Sequence, residues 1–303
     1  MTGGAGFIGA NLCRRLSSAG NVVVAFDDLS TGDVDNLRDL DVRFVEGTIL
    51  DASALDGALR DATAIVHLAA RPSVPRSIAD PMASHLANAT GTVEVLEAAR
   101  RAGNPHVIVA SSSSVYGANP TLPKHEDLAT LPLSPYAASK LATEAYTLAY
   151  QRSFGVPALA FRFFNVFGPL QTAGHAYAAV VPAFIDAALQ GEPLVVHGDG
   201  KQSRDFTFVD TVTEVIADAI ARGVTSPTPV NLAFGTRTDL LTLIAELESV
   251  LGASVAVEHV ETRAGDVKHS QADSTRLQEL FPDVEPTALP DALRATVDWF
   301  RAQ

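Results

Sequence analysis

Runs of β-branched and apolar residues alternate with segments of helical periodicity along the first half of the chain. The runs predict strands at Asn21–Phe26, Val42–Val45, Ala64–Leu68, His106–Ala110 and Ala158–Phe163. The periodic segments predict helices at Asn11–Ser18, Ser53–Arg60, Ala83–Arg101 and Pro135–Phe154. Because strands and helices alternate, we expect a parallel sheet that is covered by helices on both faces.

The pattern changes after Gly168, where a loop is followed by shorter elements. Helices are predicted at Ala178–Leu189, Asp210–Ala221 and Asp239–Leu251, and strands at Pro193–His197 and Val230–Ala233. We therefore predict a doubly wound α/β domain from residues 1–166 and about 205–235. Residues from about 167 to 204 and from 236 to 303 would form a smaller, discontinuous α/β domain, with the ligand site in the crevice between the two domains.

Composition narrows the classes of function. The 303 residues are 47% apolar and carry a formal net charge of −13, and no cluster of lysine and arginine interrupts that acidity. Nucleic acid and anionic membranes are therefore poor partners. Cys13 is the only cysteine, which excludes an internal disulfide and a thiolate metal site, and we predict no metal. Because there is no signal-peptide pattern and no apolar run near the roughly 20 residues that span a bilayer, we expect a cytoplasmic protein.

The first ten residues, MTGGAGFIGA, contain a glycine spacing that is typical of phosphate-binding loops. Gly4, Gly6 and Gly9 match G-x-G-x-x-G, and the helix that follows would offer its unpaired N–H groups to a pyrophosphate. Asp27 and Asp28 come about 20 residues later, at the end of a predicted strand. An acidic side chain at that place accepts a hydrogen bond from a ribose 2′-hydroxyl and repels a 2′-phosphate. Together these features predict a Rossmann-type domain that binds NAD rather than NADP.

A central strand normally precedes a loop of this kind, whereas here only Met1 does. One hypothesis is that a valine codon has been read as the initiator, so that Met1 would be the last residue of a longer strand. An intact-mass measurement on the native protein that matched the 303-residue chain would contradict this hypothesis.

Tyr136 and Lys140, in the segment PYAASK, lie four residues apart and therefore on one face of a predicted helix. A lone pair of this kind is more often a surface contact, but here the pair follows a dinucleotide loop and the serine cluster ASSSSVYG. A lysine ammonium about 6 Å from the phenol would stabilise the phenolate by about 2.8 kcal/mol at an effective dielectric constant of about 20. That corresponds to about two pKa units, so Tyr136 would become a usable base near neutral pH.

Nine segments occur in the order that is typical of one enzyme family. They are TGGAGFIG, DDLSTG, HLAA, NATGT, SSSSVYG, YAASK, RFFNVFGP, GDGKQSRDF and RAGD. Through them the chain resembles the extended short-chain dehydrogenase/reductases, and among these the NAD-dependent epimerase/dehydratase family, from Thr2 to about Leu280. Within that family it is most similar to the UDP-hexose 4-epimerases.

The resemblance implies an isomerase that epimerises C4 of a UDP-hexose, either UDP-glucose/UDP-galactose or also the N-acetylated pair. Tyr136 would take the proton of the sugar 4-hydroxyl while a hydride passes from C4 to NAD, and the 4-keto sugar would turn before the hydride returns to its other face. Lys140 would hold the nicotinamide ribose and lower the pKa of Tyr136. The assisting hydroxyl would be that of Ser112, four residues before the tyrosine of VYG, with Ser111 as the second choice.

The same resemblance assigns the remaining site residues position by position. Those that would contact NAD are Gly3, Gly6, Phe7, Ile8, Asp27, Asp28, Ser30, Thr31, Gly32, Thr48, Ile49, Leu68, Ala69, Ala70, Asn88, Tyr136, Lys140, Phe163 and Phe164. Those that would contact the substrate are Ser73, Ser112, Tyr136, Asn165, Val180, His197, Gln202, Arg204, Arg263, Asp266 and Ser270. In the second set, Asn165 and the two arginines would hold the diphosphate of UDP.

Four departures from the family pattern bear on the ligands. The 4,6-dehydratases have Asp-Glu where this chain has Ser113 and Ser114, which disfavours dehydration. Glucuronate 4-epimerases have an arginine for the sugar carboxylate where this chain has Thr172. Thr48 replaces an aspartate that usually meets the adenine amine, and Ser270 occupies a gate position where a small residue leaves room for an acetamido group.

Two alternative functions stay open. One is a UDP-glucuronate 4-epimerase or another nucleotide-sugar dehydratase or reductase. The other is an NAD-sensing binding protein with an inactive sugar site, which Tyr136→Phe distinguishes because only an enzyme loses turnover.

We also expect a homodimer, formed through the two predicted helices Ala83–Arg101 and Pro135–Phe154. Their apolar stripes are compatible with a four-helix bundle, but they fit packing on the sheet equally well. The stripes consist of Val93, Leu96, Leu141, Ala145 and Leu148.

Overall fold

The computed structural model describes residues 1–173, 179–262 and 268–303. Its helices are α1 (Phe7–Ser18), α2 (Ala52–Ala58), α3 (Val74–Ala79), α4 (Pro81–His85), α5 (Gly91–Arg101), α6 (Pro135–Phe154), α7 (Val180–Gln190), α8 (Val209–Arg222), α9 (Leu240–Leu251), α10 (Thr275–Leu280) and α11 (Leu289–Arg301). Its strands are β1 (Val23–Asp27), β2 (Val42–Glu46), β3 (Ala64–His67), β4 (His106–Ser112), β5 (Ala158–Phe163), β6 (Val166–Phe167), β7 (Leu194–His197), β8 (Ser203–Arg204), β9 (Thr207–Phe208), β10 (Val230–Leu232), β11 (Thr238–Asp239) and β12 (Val257–Val260). Short 3₁₀ turns lie at Val34–Leu37 and Ser113–Tyr116, and a π-helical turn lies at Leu86–Thr90.

The central sheet is parallel, and its strands run in the order β2-β1-β3-β4-β5-β10. The pair β2-β1 connects to the other four strands through Thr2, which bridges Phe26 on one side and His67 on the other. This arrangement confirms the predicted α/β class, and β10 joins the main sheet as expected for the segment near Val230.

The first three residues occupy the position of a central strand. The Thr2 amide donates to Val66 O at 3.0 Å, and the Met1 ammonium donates to Val24 O at 2.7 Å. Burial lowers the pKa of that ammonium. The hypothesis that the native chain starts upstream of Met1 is not tested by these contacts.

Strand alternation distributes the core over both faces of the sheet. Ile108 of β4 packs in one cluster with Leu12 of α1 and Ile216 of α8. Its neighbours Val107 and Val109 point to the opposite face, where they pack with the apolar side of α2 and α5. Both faces are therefore buried, which explains why the strands are nearly continuous apolar runs.

A separate apolar cluster is formed by residues of the second half of the chain. It joins Ile185 of α7, Leu194 of β7, Leu247 of α9 and Val297 of α11. The division into two domains, which the sequence predicts, stays a prediction.

The predicted helix Ala83–Arg101 is interrupted. It begins two residues earlier as α4, passes through the π-helical turn and continues as α5. In that turn the carbonyl of Asn88 accepts hydrogen bonds from the hydroxyls of Thr92 and Thr143, which compete with regular helical pairing. Leu96, one of the residues assigned to a dimer stripe, is fully buried in the cluster on the sheet.

Some elements give too weak a signal to be predicted from sequence. Helix α3 has only six residues, and β12 is mostly exposed, so neither contains a long apolar pattern. None of the helices in the described ranges is both long and apolar enough to cross a membrane.

Candidate active site

A cavity of about 920 Å³ lies at the carboxyl ends of the parallel strands, where open α/β sheets bind their ligands. Its wall combines the glycine loop, the ends of β1, β3 and β4, and the first turns of α6. The predicted site residues that line it are Gly3, Gly6, Phe7, Ile8, Asp27, Asp28, Ser30, Thr31, Thr48, Ile49, Leu68, Ala69, Ala70, Ser112, Tyr136, Lys140, Phe163, Phe164 and Asn165.

The glycine loop leaves no room for side chains at Gly3, Gly4 and Gly9. Gly3 has a φ of +69°, and a Cβ there would lie 2.6 Å from the amide nitrogen of Ala69. A Cβ on Gly9 would overlap the carbonyl oxygen of Gly3. Gly6 is the N-cap of α1, so the first amides of that helix point from the loop towards the cavity wall. Such a cradle fits the pyrophosphate of a dinucleotide.

The acidic turn after β1 is tied to the glycine loop. The carboxylate of Asp27 accepts from the Ala5 amide at 3.0 Å and from the Leu29 amide at 2.9 Å. Burial raises the pKa of Asp27, although both amide hydrogen bonds oppose the rise. Asp28 accepts from the amide and hydroxyl of Ser30. Both carboxylates line the cavity, which fits the predicted contact with an adenosine ribose.

Two residues assigned to NAD, Gly32 and Asn88, are not among the residues that line the cavity. A Cβ on Gly32 would lie 3.0 Å from Asp27 Oδ1, so Gly32 supports the loop by close packing. The side chain of Asn88 is 1% exposed; its Oδ1 accepts from the Arg71 amide at 2.7 Å and its Nδ2 donates to Ser139 Oγ at 2.9 Å. Asn88 therefore fixes the loop after β3 against α6.

Helix α6 presents Tyr136 and Lys140 to the cavity. Ser134 caps the helix by accepting from the Ala137 amide at 3.1 Å, and Pro135 follows in the first turn, where proline is favourable. Lys140 is buried, and its ammonium donates to Ala110 O at 2.8 Å. Burial lowers the pKa of Lys140 to about 8.

The net pKa shift of Tyr136 is opposite to the lowering expected from Lys140. Burial raises the pKa of the phenol, and a hydrogen bond with Ser112 only partly offsets the rise. The physical reason is the burial of the phenol, while the Lys140 ammonium donates to Ala110 O.

Strand alternation separates the serines that the sequence left open. Ser112 lies at the cavity, close enough to Tyr136 to lower the pKa of its phenol, and accepts from the Ser114 hydroxyl at 2.9 Å. Ser111 is 2% exposed, and its hydroxyl lies 3.1 Å from Glu144 Oε2. The hydroxyl of Ser112 is thus the one placed beside the tyrosine.

A second cavity of about 460 Å³ adjoins the first, and Asn165 and Val166 line both. Its wall includes Val180, His197, Gln202 and Arg204, all assigned to the substrate from sequence. The Gln202 amide donates to His197 O at 2.6 Å, and Arg204 Nη1 donates to Ser203 O at 3.0 Å.

The remaining predicted substrate residues are not on either wall or are not described. Ser73 is the N-cap of α3, and its hydroxyl accepts from the Arg76 amide at 3.3 Å. The Ser270 amide donates to Ser203 O at 3.0 Å. Arg263 and Asp266 lie outside the described residues.

Sequence reasoning missed two cations of the first cavity, Arg71 and Arg76. Arg71 directly follows the segment HLAA, so its place next to a predicted NAD contact could have identified it as a residue of the cavity. Arg76 belongs to the short helix α3, which the hydrophobic pattern did not predict.

The comparisons with known proteins identify the family of the chain. The model of the NAD dependent epimerase/dehydratase family matches residues 1–233. The UDP-glucose 4-epimerase of Mycolicibacterium smegmatis is 37% identical over 308 positions, which cover 99% of this chain and 97% of that protein.

Two solved structures are similar over nearly the whole chain. A UDP-N-acetylglucosamine 4-epimerase from Methanobrevibacter ruminantium M1, in complex with UDP-N-acetylmuramic acid, has a TM-score of 0.94 at 36% identity and is matched over 97% of its length and 100% of this chain. A UDP-glucuronic acid 4-epimerase from Bacillus cereus, in complex with UDP-glucuronic acid and NAD, has a TM-score of 0.89 at 29% identity over 98% of its length and 99% of this chain. The chain therefore belongs to the NAD-dependent epimerase/dehydratase family of nucleotide-sugar enzymes, and its cofactor is NAD.

Proposed function

We propose that the protein interconverts the C4 epimers of a UDP-hexose, UDP-glucose or UDP-N-acetylglucosamine and their galacto counterparts. One observation supports this most strongly: Asn165 and Val166 line both cavities, so a single ligand can reach from the Tyr136 phenol into the second cavity. The second cavity, with apolar side chains and Arg204, suits a uracil base and a diphosphate.

The residues of the first cavity have distinct tasks in this proposal. Tyr136 removes the proton of the sugar 4-hydroxyl and later returns a proton to the 4-keto oxygen. Ser112, which lines the same cavity, donates its one hydroxyl proton to the same sugar oxygen. Lys140 donates to a ribose hydroxyl of the cofactor while Ala110 O holds its ammonium in place. NAD, when bound, accepts a hydride from C4 and gives it back.

Side chains next to Ser112 favour epimerisation over dehydration. Elimination of the C6 hydroxyl needs an acid beside the sugar, and Ser113 and Ser114 offer only hydroxyls. The Ser114 hydroxyl is directed at Ser112 rather than at the ligand space. Thr172, where a glucuronate enzyme would have an arginine, likewise disfavours a sugar carboxylate.

Proton NMR of the anomeric region tests the proposal. The enzyme, without added NAD, is incubated separately with UDP-glucose, UDP-N-acetylglucosamine and dTDP-glucose. A new galacto-type anomeric signal in either UDP tube is the expected result, and the reactive tube identifies the sugar. Three unchanged spectra, also after addition of NAD, would contradict the proposal.

The family resemblance assigns the choice between the two sugars to Ser270, whose amide bonds Ser203 O next to Arg204 of the second cavity. We expect UDP-N-acetylglucosamine to be accepted because serine is small at this position. Ser270→Tyr should then slow its epimerisation while UDP-glucose turnover is retained. Equal rates of the variant and the parent on UDP-N-acetylglucosamine would contradict the gate role of Ser270.

The dimer remains part of the proposal. Helix α6 exposes Tyr146 and Phe154 at 46% and 45%, which leaves apolar surface available for a second copy. Light scattering after size exclusion should give twice the chain mass of 31.8 kDa. A single species at the chain mass would contradict the dimer.

A further inference from the structure

A buried ion pair lies directly behind the catalytic face of α6. Tyr136, Lys140 and Glu144 follow one another at intervals of four residues, so their side chains share one face of the helix. Glu144 is 4% exposed and Arg162 of β5 is 3% exposed. The two groups meet through two parallel hydrogen bonds, Arg162 Nη2 to Glu144 Oε1 at 2.7 Å and Arg162 Nε to Glu144 Oε2 at 2.9 Å.

The pair joins α6 to the two strands that carry the reacting site. In the register of β4 and β5, Arg162 lies opposite Ser111 and Phe163 lies opposite Ser112. The Ser111 hydroxyl lies 3.1 Å from Glu144 Oε2 and 3.3 Å from Lys140 O. Ser112 and Phe163, the next residues of β4 and β5 after Ser111 and Arg162, line the first cavity.

The guanidinium of Arg162 is fixed on its other sides as well. Its Nη1 donates to Glu126 O at 3.2 Å, and its carbon lies 4.7 Å from the ring centroid of Tyr116. The Tyr116 hydroxyl in turn donates to Asn231 Oδ1 of β10 at 2.7 Å. Arg162 therefore has one defined position relative to β4, β5 and β10.

We propose that the Glu144–Arg162 pair is a positioning device, which sets the rotation and axial position of α6 so that the Tyr136 phenol meets Ser112. The planar, bidentate geometry of arginine and carboxylate specifies orientation, which apolar packing along a helix does only loosely. A buried ion pair is a poor source of stability compared with apolar side chains of the same volume. The inference rests on the proposed role of Tyr136 as the base.

The surroundings of Tyr136 make its titration a sensitive report of this position. The charged groups that line the same cavity are Asp27, Asp28, Arg71, Arg76 and Lys140. His67 of β3, behind the wall, has a pKa lowered to about 3 by burial and stays neutral. On the helices packed against α6, the other charged or titratable side chains are His85 of α4 and Glu94, Glu97, Arg100 and Arg101 of α5. A small displacement of α6 would move Tyr136 and Lys140 relative to the other groups and would weaken the Ser112 contact that favours the phenolate.

The test replaces both charges at once, because a single replacement would leave one charge buried without its partner. In Glu144→Leu/Arg162→Met we expect an unchanged fold, an unchanged affinity for UDP and a kcat lowered about 10- to 100-fold. Separation of Tyr136 from Ser112 raises the pKa of Tyr136 further, so the acidic limb of the kcat profile should move to higher pH. The matched control is Asp56→Asn/Arg101→Gln, which removes an exposed ion pair between α2 and α5. It should change neither kcat nor the acidic limb of the kcat profile.

Other outcomes decide against the proposal. A folded double variant with the parental kcat and pH profile would overturn it, since the pair would then be structural only. If the double variant does not fold, Arg162→Lys keeps the charge but loses the second parallel hydrogen bond; it should fold and show the same kcat loss and limb shift, and parental values would again overturn the proposal.

A substrate-free measurement separates this proposal from the proposed function. The tyrosinate absorbance of the holoenzyme is titrated with pH, with the Tyr136→Phe protein subtracted and the fold followed by circular dichroism. The Tyr136 titration should move to higher pH in the variants, whether or not UDP-sugars react. An unmoved titration would contradict the positioning role, whereas a parent that is inactive on every UDP-sugar would contradict only the function.

Discussion

The two cavities are built from different parts of the chain. The first depends largely on backbone, since the overlap at Gly9 and the positive φ of Gly3 shape the cofactor cradle. The second depends on side chains that come from separate elements, among them Val180 of α7, His197 of β7 and Arg204 of β8. Backbone shape tolerates little variation, whereas side chains on loops and short strands can be exchanged. This contrast explains how one family can keep its cofactor and change its sugar nucleotide.

The largest effect is expected from a substitution in the first cavity, which should lower turnover without weakening substrate binding in the second. Tyr136→Phe removes the base, so kcat should fall about 10²- to 10⁴-fold while KM for the UDP-sugar changes little. Stopped NMR assays over a range of substrate concentrations measure both constants. A KM that rises as much as kcat falls would mean that the two cavities do not divide chemistry and binding.

The next effect tests whether backbone shape determines cofactor binding. Gly9→Ala places a methyl group on the Gly3 carbonyl, so the affinity for NAD should fall at least about 100-fold. Gly57→Ala in α2 is the matched control because its Cβ would meet open space. Calorimetric titration of NAD into both variants gives the comparison. Equal affinities would contradict the claim that the backbone of the glycine loop determines NAD binding.

A smaller effect is expected from the second cavity. Arg204→Gln removes a charge-assisted hydrogen bond to the diphosphate, so KM should rise about tenfold while kcat stays within about twofold. Arg38→Gln, at an exposed arginine, is the control and should leave KM unchanged. If kcat fell and KM stayed constant for Arg204→Gln, Arg204 would belong to the chemistry rather than to binding.

The smallest effect concerns stability. The pKa of Lys140 is lowered to about 8, so below pH 8 the fold holds a buried ammonium that it disfavours. Lys140→Met, with NAD removed, should therefore melt a few degrees above the parent at pH 7. As pH rises from about 8 towards 10.5, the parent loses that proton in the folded state first and the gap should close. If the variant melted at a lower temperature than the parent at pH 7, the buried Lys140 ammonium would not destabilise the fold.

Local motifs predicted the first cavity well, because each motif is contiguous and its geometry is decided within a few residues. The glycine loop, the end of β1 and the start of α6 all line the cavity as the resemblance implied. The choice between Ser111 and Ser112 needed the structure: both serines border the cavity, but the Ser111 hydroxyl donates to the buried Glu144 Oε2.

Longer-range features could not be predicted in the same way. The pKa direction of Tyr136 was wrong because the sequence does not reveal that its phenol is buried. Asn88 was assigned to NAD, but a contact with the Arg71 backbone, 17 residues away in sequence, places it behind the wall. The Glu144–Arg162 pair joins a helix to a strand and has no local signature.

The measurement that tests the central claim most directly uses UDP-glucose labelled with deuterium at C4, in ordinary water. If the hydride leaves C4 and returns within one closed site, the UDP-galactose formed should retain the deuterium at C4. Product that contains protium at C4 would show exchange with solvent and would contradict the proposed cycle at Tyr136.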